Sequence, residues 1–398
     1  MDGQLAVIGL GSIGSMALWQ ASRSSHSVVG FEAQTPGHAR SAVGGDTRLF
    51  RMLYRGATDY YPILERSRRL WAELEADSGQ HILTRCGGLS IGTVDGPYLP
   101  HLLETTRANG ADHEILSRGA MTERYPQHHL RPDDLAVFDP HAGALRTDRA
   151  VTAAVAAAQA NGATVLDHTP IDDIRETDDG VVVTAGNNAW KFERVIVSSG
   201  GWSRRLMPDY LNAVTETRRI FLSWFVARDP SEFSPDRFPI FIRISGDRSM
   251  YGAPSIDGVT VKATLDGRGA PTPRADAVPR DLTAEEIAET TETVTEFLPG
   301  LFPNIVRSDA FPDLFTADKN PLLGRPRENS RIYCATGFSG AGFKMASGFG
   351  EIAAHEALGT RSFHGLDFLR PQRYRSSTAR DCQDPTAEVS GGSRRVGS

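Results

Sequence analysis

Apolar residues recur along this chain in two rhythms, and the switches between them predict its architecture. Residues 5–10 are a short apolar run, 13–21 have helical composition, and 27–31 are a second apolar run. Such runs flanking a helical stretch predict a strand-helix-strand unit at the very start. Over 59–76, Ile63, Leu64, Leu70, Trp71 and Leu74 fall at helical spacing between charges, which predicts a helix with one apolar stripe. From 82–93, and again from 218–262, the rhythm turns to strands. There Phe221, Trp224, Phe225, Ile240, Phe241, Ile242 and Ile244 are separated by Pro and Gly turns. The two stretches predict one antiparallel sheet assembled from pieces distant in sequence.

Between them the first rhythm returns, with an alanine-rich helix predicted over 148–161 and strands over 163–166, 181–184 and 195–198. Further on, 283–297 reads as a helix with a capping box, Thr283 at the cap and Glu286 three residues later. A strand over 331–336, a glycine-rich loop over 337–342 and a helix over 343–358 follow. From about residue 375 the Ser, Arg, Gly and Asp content has no period, which predicts a disordered tail over 375–398. The expected fold is α/β with two interleaved domains. A Rossmann-like domain takes 1–80, 147–215 and 320–374, and an antiparallel β-sheet substrate domain takes 81–146 and 216–319 and roofs the nucleotide.

Composition narrows the function. A net charge of -6 without any basic stripe argues against nucleic-acid binding. No run reaches 18 apolar residues, so no membrane helix is expected, and the first residues carry no charged leader. Cys86, Cys334 and Cys382 lie far apart, without metal or disulfide spacing. The expectation is a cytoplasmic monomer without a metal. Only four of the 43 basic residues are lysines, Lys191, Lys262, Lys319 and Lys344, so each lysine merits inspection.

The segment Gly9-Leu10-Gly11-Ser12-Ile13-Gly14 lies between predicted strand and predicted helix, the context in which a glycine fingerprint carries weight. Gly9 makes the turn, Gly11 lets backbone approach a pyrophosphate, and Gly14 permits close helix-strand packing. Glu32, closing the second strand, is placed to accept from a ribose hydroxyl. FAD is favoured over NAD because the remaining nucleotide-domain pieces are dispersed to the far end of the chain, and no second glycine site offers itself to a nicotinamide partner.

At Gly45-Asp46-Thr47-Arg48-Leu49-Phe50-Arg51 the sequence resembles the monomeric sarcosine oxidase and N-methyltryptophan oxidase family of D-amino-acid-oxidase-like flavoproteins. The resemblance recurs at Val195 through Trp202, at Tyr251-Gly252, at Val261-Lys262 and at Gly337-Phe338-Ser339-Gly340-Ala341-Gly342-Phe343-Lys344, and covers roughly 4–371. It implies oxidation of a secondary amine, an N-methyl or cyclic amino acid, to an imine by hydride transfer to FAD, with oxygen reduced to hydrogen peroxide.

The same resemblance implies roles for residues. Lys262 sits near the flavin and activates oxygen by stabilising negative charge. Arg48 packs against the flavin, and Arg51 with Lys344 grips a substrate carboxylate. Tyr251 and Phe315 line the substrate pocket, with Tyr251 and Arg48 also near the chemistry. Ser12, Ile13, Thr47, Ile171, Ser199, Gly200, Trp202, Gly337, Phe338, Gly340, Gly342, Phe343 and Lys344 join the fingerprint in holding FAD. The loop over 337–342 opens a helix whose N–H groups face the cofactor.

Departures matter too. Many family members tether FAD to a cysteine shortly before an aromatic-Thr pair, and Pro312-Asp313-Leu314-Phe315-Thr316 has none, so FAD is expected to be non-covalent. Asp266 stands where sarcosine oxidases carry a histidine, which implies a different, larger substrate. His141, His168 and His355 read as surface or core residues. Two alternatives stay open, a flavin dehydrogenase or tailoring enzyme acting on a biosynthetic intermediate, and a nucleotide-binding protein without catalysis.

Overall fold

The computed structural model describes residues 1–25, 27–54, 58–266 and 269–375, so apart from Arg375 the expected tail, and Cys382 with it, lies outside the described residues. The N-terminal strand Gly3–Ile8 runs parallel to Val28–Phe31 on one side and to Asn188–Val197 on the other. Thr164–Leu166 and Ile332–Thr336 extend the parallel array, while Asp173–Thr177 and Gly180–Ala185 join it as an antiparallel hairpin. Strands buried on both faces need continuous apolar runs, which residues 5–8 and 195–197 supply. Helices Ser12–Ser22 and Ala346–Leu358 pack on this sheet almost backbone to backbone. A Cβ on Gly350 would stand 2.4 Å from that of Met16.

The second sheet has eight strands, in the order Leu301–Thr316, Thr215–Ala227, Thr260–Leu265, Arg248–Ala253, Ile240–Ser245, Gly88–Thr93, Asp134–Asp139 and Glu114–Leu116. Its neighbours are antiparallel with one exception. Ile240–Ser245 lies parallel to Gly88–Thr93, so the expected wholly antiparallel sheet is in fact mixed at the seam between its two distant pieces. One face buries Leu89, Ile91, Phe225, Phe241, Met250, Val261 and Ala263 against helix Ala284–Phe297, whose predicted capping box is present. By strand alternation the opposite face carries Ser90, Ile242, Tyr251, Lys262, Trp224, Phe311 and Asp313. That second face covers the site described below.

A three-stranded sheet, Thr47–Phe50 with Gly143–Arg146 and Leu83–Thr84, ties the two large sheets together and places Arg48 on a strand. The helix predicted over 59–76 is Tyr61–Ser78, closed by Gly79 at φ 66°. The helix predicted over 343–358 differs at its start. Phe343–Met345 is a 3-10 turn and the α-helix begins at Ala346, which puts Lys344 before the helix instead of inside it. The indole N–H of Trp71 donates to the Lys344 carbonyl at 3.2 Å, and Phe343 stacks on Trp71, so this turn is committed to the core before the helical ladder starts.

Candidate active site

The glycine fingerprint is built as its spacing predicts. Gly9 has φ 89°, and a Cβ there would press to 2.7 Å from Ser199 Cα. A Cβ on Gly14 would fall 1.9 Å from the Gly9 carbonyl oxygen, a distance no side chain tolerates. Gly11 caps the helix and is different, since its Cβ would meet only Val43 at 3.9 Å and project into open space. Glu32 is buried and accepts from the Leu10 N–H at 2.9 Å and the Gln34 N–H at 3.0 Å, with His38 Nε2 at 3.6 Å. Burial alone would raise its pKa, but the His38 and backbone donors outweigh that and hold the carboxyl below its ordinary value.

Above this loop lies a cavity of about 830 Å³ over the carboxyl ends of the strands. Gly9, Gly11, Ser12, Glu32, Ile171, Ser199, Gly200 and Trp202 line it, all of them predicted. Ile13 and Gly14 instead pack beneath it. Sequence reasoning missed His38, Thr169 and Arg280, which line it from loops. Arg280 reaches in from the loop before helix Ala284–Phe297 and donates to the Ala39 carbonyl at 3.1 Å. The hydrogen-bonding loop after Glu32 was the available signal for His38, and no local signal marks Arg280.

Beside the cavity, the segment 44–46 is pressed against the roof sheet. A Cβ on Gly44 would stand 2.2 Å from the Phe311 ring and one on Gly45 2.3 Å from Leu222. Asp46 pairs with Arg307, whose guanidinium lies 3.9 Å from the Trp224 ring centroid. Arg48 donates to the carbonyls of Thr47 at 2.7 Å and Ala42 at 2.8 Å. Lys262, only 2% exposed, descends from the roof and donates to the Thr47 carbonyl at 2.5 Å. Burial, then the Arg48 charge, push its pKa well down, with Asp46 opposing. Burial likewise pushes the Tyr251 phenol up, against the pull of Arg48. Asp313 accepts from the Gly340 N–H at 2.7 Å and the Leu314 N–H at 2.8 Å, and burial raises it to about 6.

Arg51 and Lys344 meet on the floor. Arg51 is 9% exposed, and among the described residues its Nε has no hydrogen-bond partner and its one side-chain contact of that kind is Nη1 to the Tyr98 hydroxyl at 3.5 Å. The Tyr98 hydroxyl in turn donates to Ser90 on the roof at 3.1 Å. Asp139 fixes the following backbone, accepting from the Met52 and Leu53 N–H groups at 2.7 and 3.1 Å. Lys344 Nζ donates to the Ala341 carbonyl at 2.9 Å and lies 4.5 Å from the Tyr54 ring centroid. Burial and the neighbouring Arg51 lower its pKa to about 7. Among the described residues neither cation has a carboxylate within ion-pairing distance, an arrangement that calls for an anion from outside.

Other predicted residues are placed less centrally. Phe315 packs against the guanidinium of Arg218, 5.2 Å from its centroid, near Gly340. Phe338 contacts Phe349 and Phe343 contacts Trp71, so their rings serve the core, leaving backbone groups for a cofactor. Gly337 and Gly340 have φ 72° and 79°. His141 and His168 are peripheral, and Cys334 is buried in its strand.

A Rossmann-like sheet with this fingerprint, an acid closing its second strand and a cavity over the strand ends defines a dinucleotide-dependent oxidoreductase. The chain belongs to the FAD dependent oxidoreductase family, whose pattern matches residues 4–356, and FAD is its cofactor. It is 28% identical to N-methyl-L-tryptophan oxidase of Yersinia pestis (strain Pestoides F) over 355 residues, 89% of this chain and 94% of that one. Among solved structures it resembles NikD, an unusual amino acid oxidase essential for nikkomycin biosynthesis. That match has TM-score 0.82 at 19% identity, covering 93% of this chain and 97% of that one. It also resembles L-proline dehydrogenase from P. horikoshii, with TM-score 0.81 at 20% identity over 94% and 98% of the two chains. No described helix is long and apolar enough to cross a membrane.

Proposed function

We propose that this protein oxidises the C–N bond of an amino acid carrying a secondary amine, N-methyl or cyclic, to an imine, with oxygen as electron acceptor and hydrogen peroxide as product. The observation that carries the reading is the pair of buried cations Arg51 and Lys344, one with an unpartnered Nε, facing the sheet that bears Lys262 and Tyr251. FAD, when bound, supplies the hydride acceptor. The chain's own residues do the rest. Gly9, Gly11 and the helix they open receive a pyrophosphate, and Glu32 accepts from a ribose. Arg51 and Lys344 bind and orient a carboxylate. Trp224, Phe311 and Tyr251 wall the site against water.

Burial lowers the pKa of Lys262 and a neighbouring negative charge raises it, so charge developing beside it favours its cationic form. That suits a residue stabilising reduced oxygen. The cysteine-free stretch from Pro312 to Thr316 supports a non-covalent cofactor. We read the chain as a cytoplasmic monomer with the interleaved domains 1–80, 147–215 and 320–374, and 81–146 and 216–319, the two large sheets supporting that division.

A panel of N-methyl and cyclic amino acids in a peroxide assay tests the reading. Peroxide formed in step with substrate loss is expected, and no oxidation of any amine would refute it. The likeness to a proline dehydrogenase supports a second reading, in which the same amine is oxidised but electrons pass to another acceptor. Reduction without peroxide would select it.

A further inference from the structure

The roof face carries two acids that the reading above does not use, Asp313, whose carboxylate is taken by the Gly340 and Leu314 N–H groups, and Asp266. In strand Thr260–Leu265 alternate side chains share a face, and Lys262 and Thr264 stand on the face of Tyr251, which pairs with Thr264. Asp266 continues that row. Its backbone N–H donates to the Ser249 carbonyl at 2.9 Å, carrying the ladder one step beyond the Met250–Leu265 pair. Its charge acts on Tyr251 beside it and on Lys344 across the site. Among the described residues no side chain pairs with its carboxylate, and the residue is exposed. Lys344 spends a hydrogen bond on the Ala341 carbonyl instead.

Among the described residues the site is therefore divided in charge, with two cations lacking a paired carboxylate on its floor and, on its roof, the Asp266 carboxylate without a side-chain partner, Asp313 being held by backbone N–H groups. We infer that Asp266 is a specificity-determining residue that receives the substrate nitrogen as an ammonium on binding, so that the site selects zwitterionic amino acids; the proton passes to solvent beside the exposed Asp266 before the neutral amine gives up hydride. The carboxylate lies against Arg51 and Lys344, and the ammonium against Asp266. This rests on the amine-oxidising reading and adds to it a rule of selection. Dicarboxylates would bring like charge to Asp266, and neutral-headed carboxylates would leave it unpaired. Because Asp266 is exposed, its attraction is screened and its effect on affinity is at most about fivefold.

The test uses the FAD-loaded full chain and two carboxylates of equal shape that cannot be oxidised at nitrogen, trimethylglycine with a cationic head and tert-butylacetate with an uncharged one. Their binding is followed by perturbation of the flavin spectrum. The unsubstituted protein should prefer trimethylglycine, and Asp266→Asn should reduce that preference about twofold to fivefold while leaving tert-butylacetate bound as before or more tightly. Asp266→Ser, with retained FAD absorbance checked in both variants, should repeat the result. An unchanged preference, or an equal loss of both ligands, overturns the inference while amine-dependent peroxide formation leaves the parent reading standing. If neither ligand perturbs the unsubstituted protein and no amine is oxidised, both readings fall.

Discussion

Replacing Arg51 with methionine should move two observables in opposite directions. Methionine keeps much of the stem's packing while removing the guanidinium. In the ligand-free protein Arg51 is 9% exposed, and among the described residues its guanidinium has an unpartnered Nε and one long contact to Tyr98. A buried unsatisfied polar atom costs roughly 1–3 kcal/mol, so Arg51→Met should raise the melting temperature of the ligand-free protein. Substrate binding should suffer instead. Two charge-assisted hydrogen bonds to a carboxylate are worth about 1.5–3 kcal/mol each, and 1.4 kcal/mol is about tenfold, so KM should rise by roughly two orders of magnitude or more. Steady-state kinetics and a thermal melt on one preparation read both. A KM within about threefold of the original, or a lowered melting temperature, would refute the placement of Arg51 as an unpaired anion receptor.

The remaining predictions use the same logic. Lys344 titrates near 7 in the fold, below an unfolded lysine, so between about 7 and the ordinary lysine value the unfolded chain binds more protons and stability rises with pH. Lys344→Met should accordingly stabilise the ligand-free protein most below pH 7, with the gain shrinking as pH climbs; a pH-independent effect would contradict this. Gly14→Ala should yield an insoluble or unfolded chain, because its Cβ meets the Gly9 carbonyl at 1.9 Å, whereas Gly11→Val should fold and elute colourless, because its side chain enters the cavity. Equal behaviour of the two in solubility and absorbance would count against the fingerprint geometry. Lys262→Met should slow reoxidation by oxygen about 10²-fold or more, while anaerobic reduction by substrate proceeds. Stopped-flow traces with unchanged oxygen reactivity would remove Lys262 from that role.

Much of the site was legible because its signals are local. Gly9, Gly14 and Glu32 fall within one strand-loop-helix-strand unit, where steric demand fixes the glycines and the Leu10 N–H finds its acceptor in Glu32. The strand Leu301–Thr316 was invisible for an opposite reason. It is an edge strand bearing Pro303 and Pro312, with a largely exposed first half in which apolar residues do not alternate cleanly, and an edge tolerates both features. Helix Tyr98–Ala108 has a clear buried stripe, Tyr98, Leu99 and Leu102, that went unread between two strand stretches. Its Tyr98 turned out to steady Arg51. Arg280 and Asp139 reach the site through tertiary contacts between segments far apart in sequence, which no local period encodes. The start of the last helix was misplaced because Trp71, distant in sequence, captures the Lys344 carbonyl.

The central claim is that this FAD-bearing fold oxidises a zwitterionic secondary amine and hands the electrons to oxygen. Mixing the FAD-loaded protein anaerobically with an N-methyl or cyclic amino acid, and then admitting air, tests it most directly. The account predicts bleaching of the oxidised flavin absorbance on mixing, followed on aeration by its return with one peroxide per turnover. A flavin that stays oxidised with every amine in the panel would contradict it.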